Sequence, residues 1–272
     1  GKTIIEGISN CKKILSAKLY FSNTQVIIIS KKIAKAGIRD IVLLILNEHD
    51  FRETIKMIVS SEKNAKDILM TDNVNSPIVS YEINDVIYDN ESIGLSTQLV
   101  PVYKVFPQVI TKKRTYILPG LNVKKNNNKE EYAGSDGLYL FQGQKLVGHI
   151  DESHSKAYLL VTNKAKAGDI TIEISDNKMV SLQVLNSKTF SKYKIKNNQL
   201  QVKQEINMEV LIKEYSSKDR EKNEEEFKKI EKEITKKIEK DIKNYVKDLL
   251  EEYKIDVFSF KDDIYRKNPK LY

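Results

Sequence analysis

The stretch GSDGLYLFQGQKLVGHI, residues 134–150, decides the fold class. Gly137–Phe141 and Lys145–Ile150 alternate in character about a tight Gln-Gly turn at Gln142–Gly143, the pattern of a β-hairpin. Downstream, Ser155–Thr162 reads as a short helix. Asp169–Ser175, Met179–Leu185 with its extension through Lys194, and Gln199–Tyr215 then read as strands. Polar turns at Asp176–Lys178 and Lys196–Asn198 separate them, so an antiparallel sheet is the simplest arrangement. From about Lys218 to Tyr253, apolar residues including Phe227, Ile230, Ile234, Ile238, Ile242, Val246 and Leu249 recur at steps of three and four, giving one amphipathic helix. It runs about 50 Å at 1.5 Å per residue, enough to cross the sheet. Pairs such as Glu224–Lys228 and Glu233–Lys237 support its exposed faces by about 0.2–0.5 kcal/mol each. Its narrow apolar stripe fits either packing on its own sheet or a coiled coil with another chain.

Upstream of the hairpin the patterns mix. Thr3–Ala17 reads as a helix carrying Ile4, Ile5, Ile8 and Cys11, and Gln25–Ser30 as a buried strand. Lys31–Ala36 is a short helix stopped by Gly37, followed by an apolar helix over Ile38–Leu46, a strand over Thr54–Ser60 and a helix over Glu62–Met70. Asp72–Pro77 has loop composition, and Ile78–Val109 is mostly helical, with Pro101, Pro107 and Pro119 as limits. The Lys- and Asn-rich run Val123–Lys129 reads as an exposed linker. The expected architecture is a multidomain α+β protein with mixed and antiparallel sheets and packed helices. Residues 1–72 form an N-terminal α/β domain, 73–128 a smaller middle subdomain and linker, and 129–272 a C-terminal α+β domain with an antiparallel sheet and the long helix.

A formal charge of +8, from 46 Lys and Arg against 38 Asp and Glu, favours an acidic partner over a basic one. Residues 1–128 hold 18 of these basic and 12 of these acidic side chains, so the excess is mostly N-terminal. Nucleic acid, an anionic membrane surface and an acidic protein would all answer to that sign. No apolar run reaches the ~20 residues that span a bilayer; the best, Ile38–Leu46, is interrupted by Arg39 and Asp40. The chain opens on Gly1 without a signal-peptide pattern, which points to a fragment of a longer precursor. A single cysteine, Cys11, excludes an internal disulfide framework and any multi-Cys zinc site.

Candidate chemistry is sparse. The histidines are His49, His149 and His154, and no HExxH, CxxC or dense carboxylate ladder accompanies them. Glu48, His49 and Asp50 are chain neighbours, which on a helix do not face one another. Asp151, Glu152, Ser153 and His154 bring Ser, His and Asp together after a strand, but at a helix start these types form a cap with acidic first-turn residues. Gly134-Ser135-Asp136-Gly137 leads into a strand and so lacks the strand-to-helix context of a phosphate loop. The basic run Lys112-Lys113-Arg114 with Tyr116, Lys124 and Lys125 has the types of a nucleic-acid contact, yet no RRM, KH or helix-turn-helix signature frames it. These lysines and Arg114 could instead rest on anionic lipid headgroups, at up to about 1 kcal/mol per charge.

The order of elements resembles the Ger(x)C spore germination proteins nearly end to end. Gly1-Lys2-Thr3 opening an amphipathic helix, Val26–Ser30, and Ile33-Ala34-Lys35-Ala36-Gly37-Ile38 look like the family's early segments, followed by Phe51-Arg52 and Ala65–Leu69. The most specific stretch is Gly137-Leu138-Tyr139-Leu140-Phe141 with Lys145-Leu146-Val147-Gly148. The close, Asp256-Val257-Phe258-Ser259-Phe260 with Tyr265, Arg266 and Pro269, resembles the family's terminal signature. Leu46-Asn47-Glu48-His49 departs from the acidic-aromatic-basic segment usual there. The family's lipidated N-terminal cysteine is not Cys11, which lies in a helix, so the resemblance implies a truncated ectodomain without its first strands.

That resemblance implies a non-enzymatic lipoprotein C subunit of a spore nutrient germinant receptor, required for receptor assembly or signalling. It also implies palmitate-type lipid anchoring on the outer face of the inner spore membrane, with A and B subunits as partners and no nucleic acid. No catalytic, cofactor or metal residue transfers. The residues it singles out, Gly37, Gly137, Phe141, Lys145, Leu146, Val147, Gly148, Asp256, Phe258, Phe260, Arg266 and Pro269, carry fold. Two other classes stand beside it: a module binding a small nutrient in a cleft between the halves, and a hydrolase using Ser153 and His154.

Overall fold

A computed structural model of the protein describes residues 3–14, 20–72, 78–92, 95–111, 113–174, 178–197, 199–215 and 224–267. The expectations on Gly1, Lys2, Lys112, Pro269, the loop core 73–77, the turn at 175–177 and the start of the long helix at 218–223 lie outside them.

Helix α1 (Ile4–Ile14) precedes strand β1 (Val26–Ser30). The Ser30 side chain accepts a hydrogen bond from the Ile33 amide and so caps helix α2 (Lys31–Ala36), which Gly37 ends at φ 134°. Helix α3 (Arg39–Asn47), strand β2 (Lys56–Ser60), the short helix α4 (Lys66–Leu69), helix α5 (Val79–Ser92) and helix α6 (Val102–Val109) follow. The helix expected over Glu62–Met70 shrinks to α4 because the Glu62 carboxylate accepts from the Val123 amide at 2.9 Å, which ties the segment to the next strand.

Strands β3 (Thr115–Lys125), β4 (Glu131–Gln142) and β5 (Lys145–Ile150) complete a five-stranded sheet in the order β1-β2-β3-β4-β5. The first three strands are parallel and the last three antiparallel. Both faces are covered, which explains the near-continuous apolar runs of β1 and β2. On one face α2, α3 and α6 pack Ala34, Ile38, Val42, Ile45 and Val105 over Ile29, Met57, Val59, Leu118 and Tyr139. On the other, α4 and α5 pack Ile68, Ile83 and Ile87 over Val26, Ile58, Leu121 and Ala133. Alternation along β4 divides its side chains: Tyr139 and Phe141 enter the first core, Leu138 and Leu140 a third.

Two local corrections concern turns. Gln142 pairs with Lys145, so the two-residue loop is Gly143–Gln144, one residue later than the pattern suggested, with Gly143 at φ 57° supplying the left-handed position. The carbonyl of Gln144 accepts from the Ile38 amide at 3.0 Å, seating the loop on the α2–α3 junction. Val123–Lys129, read as a linker, is instead the tip of the β3–β4 hairpin: Lys125 pairs with Glu131, and the Asn126 carboxamide accepts from the Asn128 and Glu130 amides. Its polar composition reports exposure, not chain freedom.

Helix α7 (Glu152–Val161) leads to a second, antiparallel sheet of strands β6 (Gly168–Ile174), β7 (Lys178–Lys196) and β8 (Gln199–Tyr215). Helix α8 (Glu224–Tyr253) lays Ile230, Ile234 and Ile238 on Ile172, Ile174, Val180 and Leu182 of that sheet. Its apolar stripe is therefore used within the chain. Farther along, Leu249 packs with Tyr158 and Leu159 of α7 and with Ile117 and Leu140 of the first sheet. Helix α9 (Phe260–Lys267) closes the described chain. The molecule is α+β, as its patterns predict.

Candidate functional site

The Asp151 group is a helix cap. Its carboxylate accepts from the Ser153 amide at 2.9 Å, the His154 amide at 3.0 Å and the Ser153 hydroxyl at 2.6 Å. Burial raises the Asp151 carboxyl, but the bonds from Ser153 and His154 outweigh it and hold the group down to about 2. A nucleophilic triad needs hydroxyl and carboxylate on opposite nitrogens of one imidazole. Here His154 Nδ1 faces both Asp151 (2.9 Å) and Ser153 (3.3 Å), while Nε2 lies 3.8 Å from Asp248. The serine hydroxyl thus spends its proton on the cap. Glu48, His49 and Asp50 are all exposed in the turn after α3, and Gly134–Gly137 lies inside β4.

Around the β4–β5 hairpin, the residues singled out by sequence hold close approaches. Gly137 sits at φ 71°, where an added Cβ would come 2.3 Å from the Ile150 carbonyl oxygen. At Gly148 a Cβ would meet the Tyr253 ring at 2.2 Å. That tyrosine ends α8 and is fixed on both sides of His149: its hydroxyl donates to the His149 carbonyl at 2.6 Å and accepts from the His149 amide at 3.2 Å. Phe141 is buried and stacked on Tyr116 at 5.3 Å, and Leu146 packs against the same core. Lys145 and Val147 are exposed. The Gly37 turn abuts the Gln144 side chain.

The closing segment docks on the first strand of the hairpin system. Thr115 Oγ1 donates to the Asp256 carbonyl at 2.5 Å and lies 2.9 Å from Ser259 Oγ, which in turn donates to the Thr115 carbonyl at 2.8 Å. The Asp256 carboxylate accepts from the Phe260 and Lys261 amides at 2.9 and 2.8 Å, capping α9. Phe258 is buried, stacked on Tyr158 at 5.6 Å and beside Phe260 at 5.4 Å. Sequence reading found Asp256, Phe258 and Phe260 but not Thr115, whose partners lie 141 and 144 residues away.

These elements enclose a cleft of about 400 Å³ where the first sheet meets the C-terminal segment. Its walls include Gln108 after the α6 midpoint, Arg114 and Thr115 at the start of β3, Asn163 and Lys164 after α7, Ser191 and Tyr193 of β7, and Arg266 of α9. Arg114 pairs with Asp262 at 3.0 Å, and Tyr193 donates to Asp263. Of the other basic residues named from sequence, Lys124 lies 3.6 Å from Glu152 and Lys125 3.0 Å from Glu131, while Lys113 is exposed. Among the described residues no helix is long and apolar enough to cross a membrane.

Comparison with known proteins places both halves of this arrangement in one family. Residues 136–272 match the family described as "Spore germination B3/ GerAC like, C-terminal", and residues 1–123 match "Spore germination protein N-terminal domain". The chain belongs to the GerAC-like spore germination family. Within it, the chain is 25% identical over 287 residues to the spore germination protein KC of Bacillus subtilis (strain 168), covering 99% of this chain and 70% of that protein. The fold of the GerAC-like chain matches the crystal structure of the GerBC protein, with a TM-score of 0.69 at 17% identity over 95% of this chain and 74% of that one. The resemblance read from the hairpin and the closing segment is thus met by matches to both halves and by the fold.

Proposed function

We propose that this protein is the C subunit of a nutrient germinant receptor of spores and that it acts there by assembly and signalling, not by catalysis. The observation that carries the reading is the pair of consecutive spore germination matches spanning residues 1–123 and 136–272. The Asp151, Ser153 and His154 geometry supports the non-enzymatic part, since a hydroxyl committed to a cap is not an activated nucleophile. In this reading the subunit is held by an N-terminal lipid at the outer face of the inner spore membrane, beside A and B subunits.

The test deletes the gene in the host and restores it as the full-length precursor, measuring nutrient-triggered germination and retention of the A and B subunits in the spore membrane. Loss of both on deletion, with recovery on complementation, is the expected result. Unchanged germination together with unchanged partner levels would refute the assignment.

A further inference from the structure

Lys164 follows α7 and lines the junction cleft, where its ammonium lies 5.8 Å from the centroid of the buried Tyr158 ring. Among the described residues no carboxylate pairs with it, although the cleft holds two. Asp262 is taken by Arg114 and Asp263 accepts from Tyr193. The third nearby carboxylate, Asp256, caps α9. Facing Lys164 are further cations, Lys104 of α6 and Arg266 of α9. Burial, reinforced by those two, lowers the lysine to about 8. An unpaired, half-buried ammonium among like charges is costly to the folded state, and such groups ordinarily have a counter-ion. Two further features point the same way. Asn163 spends its carboxamide oxygen on the Thr189 amide, which leaves its NH2 as a donor at the cleft. Tyr116, also in the lining, has a buried hydroxyl without a hydrogen-bond partner among the described residues.

We infer that this cleft is a binding site for a small organic carboxylate, with Lys164 and Arg266 receiving the carboxylate and the aromatic wall of Tyr158, Phe258 and Phe260 receiving its apolar body. The volume of about 400 Å³ suits a ligand of a few to a dozen heavy atoms. An inorganic anion would use the cations but not the rings. This inference does not rest on receptor membership, because the isolated chain suffices to test it.

The probe is benzoate, titrated calorimetrically into the protein at constant ionic strength, with inorganic phosphate as the comparison. Saturable heat from benzoate is expected, with weaker phosphate binding. Lys164→Gln should lower benzoate affinity about tenfold or more, the amount carried by a hydrogen bond to a charged group. Lys243→Gln, on an exposed face of α8, should leave it unchanged. Raising the pH from 7 to 9.5 should weaken binding to the wild type and not to Lys164→Gln. The other titratable groups facing the lysine are Lys104, Arg114, Arg266, Asp256, Asp262 and Asp263, together with Tyr116, Tyr158 and Tyr193, whose hydroxyls burial raises above the ordinary tyrosine range. If Lys164→Gln does not fold, Arg266→Gln reads the same loss. Absence of saturable benzoate heat, equal affinity in the cleft variants, or tighter binding of phosphate than of benzoate would each overturn the assignment.

Discussion

At the scale of single residues, the Gly148–Tyr253 contact explains why one strand position admits no side chain. A methyl group there would sit 2.2 Å from a ring that two hydrogen bonds to His149 prevent from swinging aside. Gly148→Ala should cost about 1–3 kcal/mol in denaturant unfolding, as overpacking does. In a Tyr253→Ala background the same substitution should cost much less, and a full cost in both backgrounds would refute the clash. Asp151 gives a pH prediction. Its folded carboxyl titrates at about 2, below its ordinary value near 4, so its stabilising contribution is complete above about pH 4 and is lost as pH falls towards 2. The wild-type advantage over Asp151→Ala, about 0.5–2 kcal/mol for a cap, should therefore shrink across that window. The side chain is 57% exposed, so solvent screening keeps the effect at the low end.

Elements were legible in proportion to how local their signal is. The β7 and β8 strands, the β4–β5 hairpin and α8 each carry a period of two or of three to four within one segment, and all of them form, the hairpin turn alone falling one residue later than its pattern. What the α8 stripe could not reveal was its partner, because Ile230, Ile234 and Ile238 would look the same facing another chain as facing Ile172 and Val180. The parallel pairing of Val59 with Gly120, the Thr115–Ser259 bonds and the cleft around Lys164 are likewise contacts between distant segments, with no local periodicity to announce them. Within α8, Ile234 and Leu249 serve different cores. Each truncation to Ala should cost about 2–5 kcal/mol. Hydrogen exchange should separate them: Ile234→Ala should loosen β6–β8 first, and Leu249→Ala should loosen α7 and β4. Identical exchange maps for the two variants would contradict the division of the helix between cores.

For the whole molecule, the same long-range pairing sets what can be cut away. Strands β3 and β4 pair from Thr115–Gln142 to Lys125–Glu131, with a bulge between Pro119 and Leu121, so a division after residue 128 separates neighbours in one sheet. Residues 129–272 expressed alone should present β4 as a bare, apolar edge and aggregate, whereas co-expression with residues 1–128 should recover a soluble complex. A soluble, monomeric, cooperatively melting C-terminal half would show that the pairing is dispensable. Helix α8 adds a mechanical corollary. Its 30 residues, about 45 Å at 1.5 Å per residue, are gripped by the second sheet near one end and by β5, through Tyr253, at the other. Such a helix is a strut clamped at both ends. A load applied to the three-stranded sheet is therefore passed along the helix to the edge of the five-stranded one.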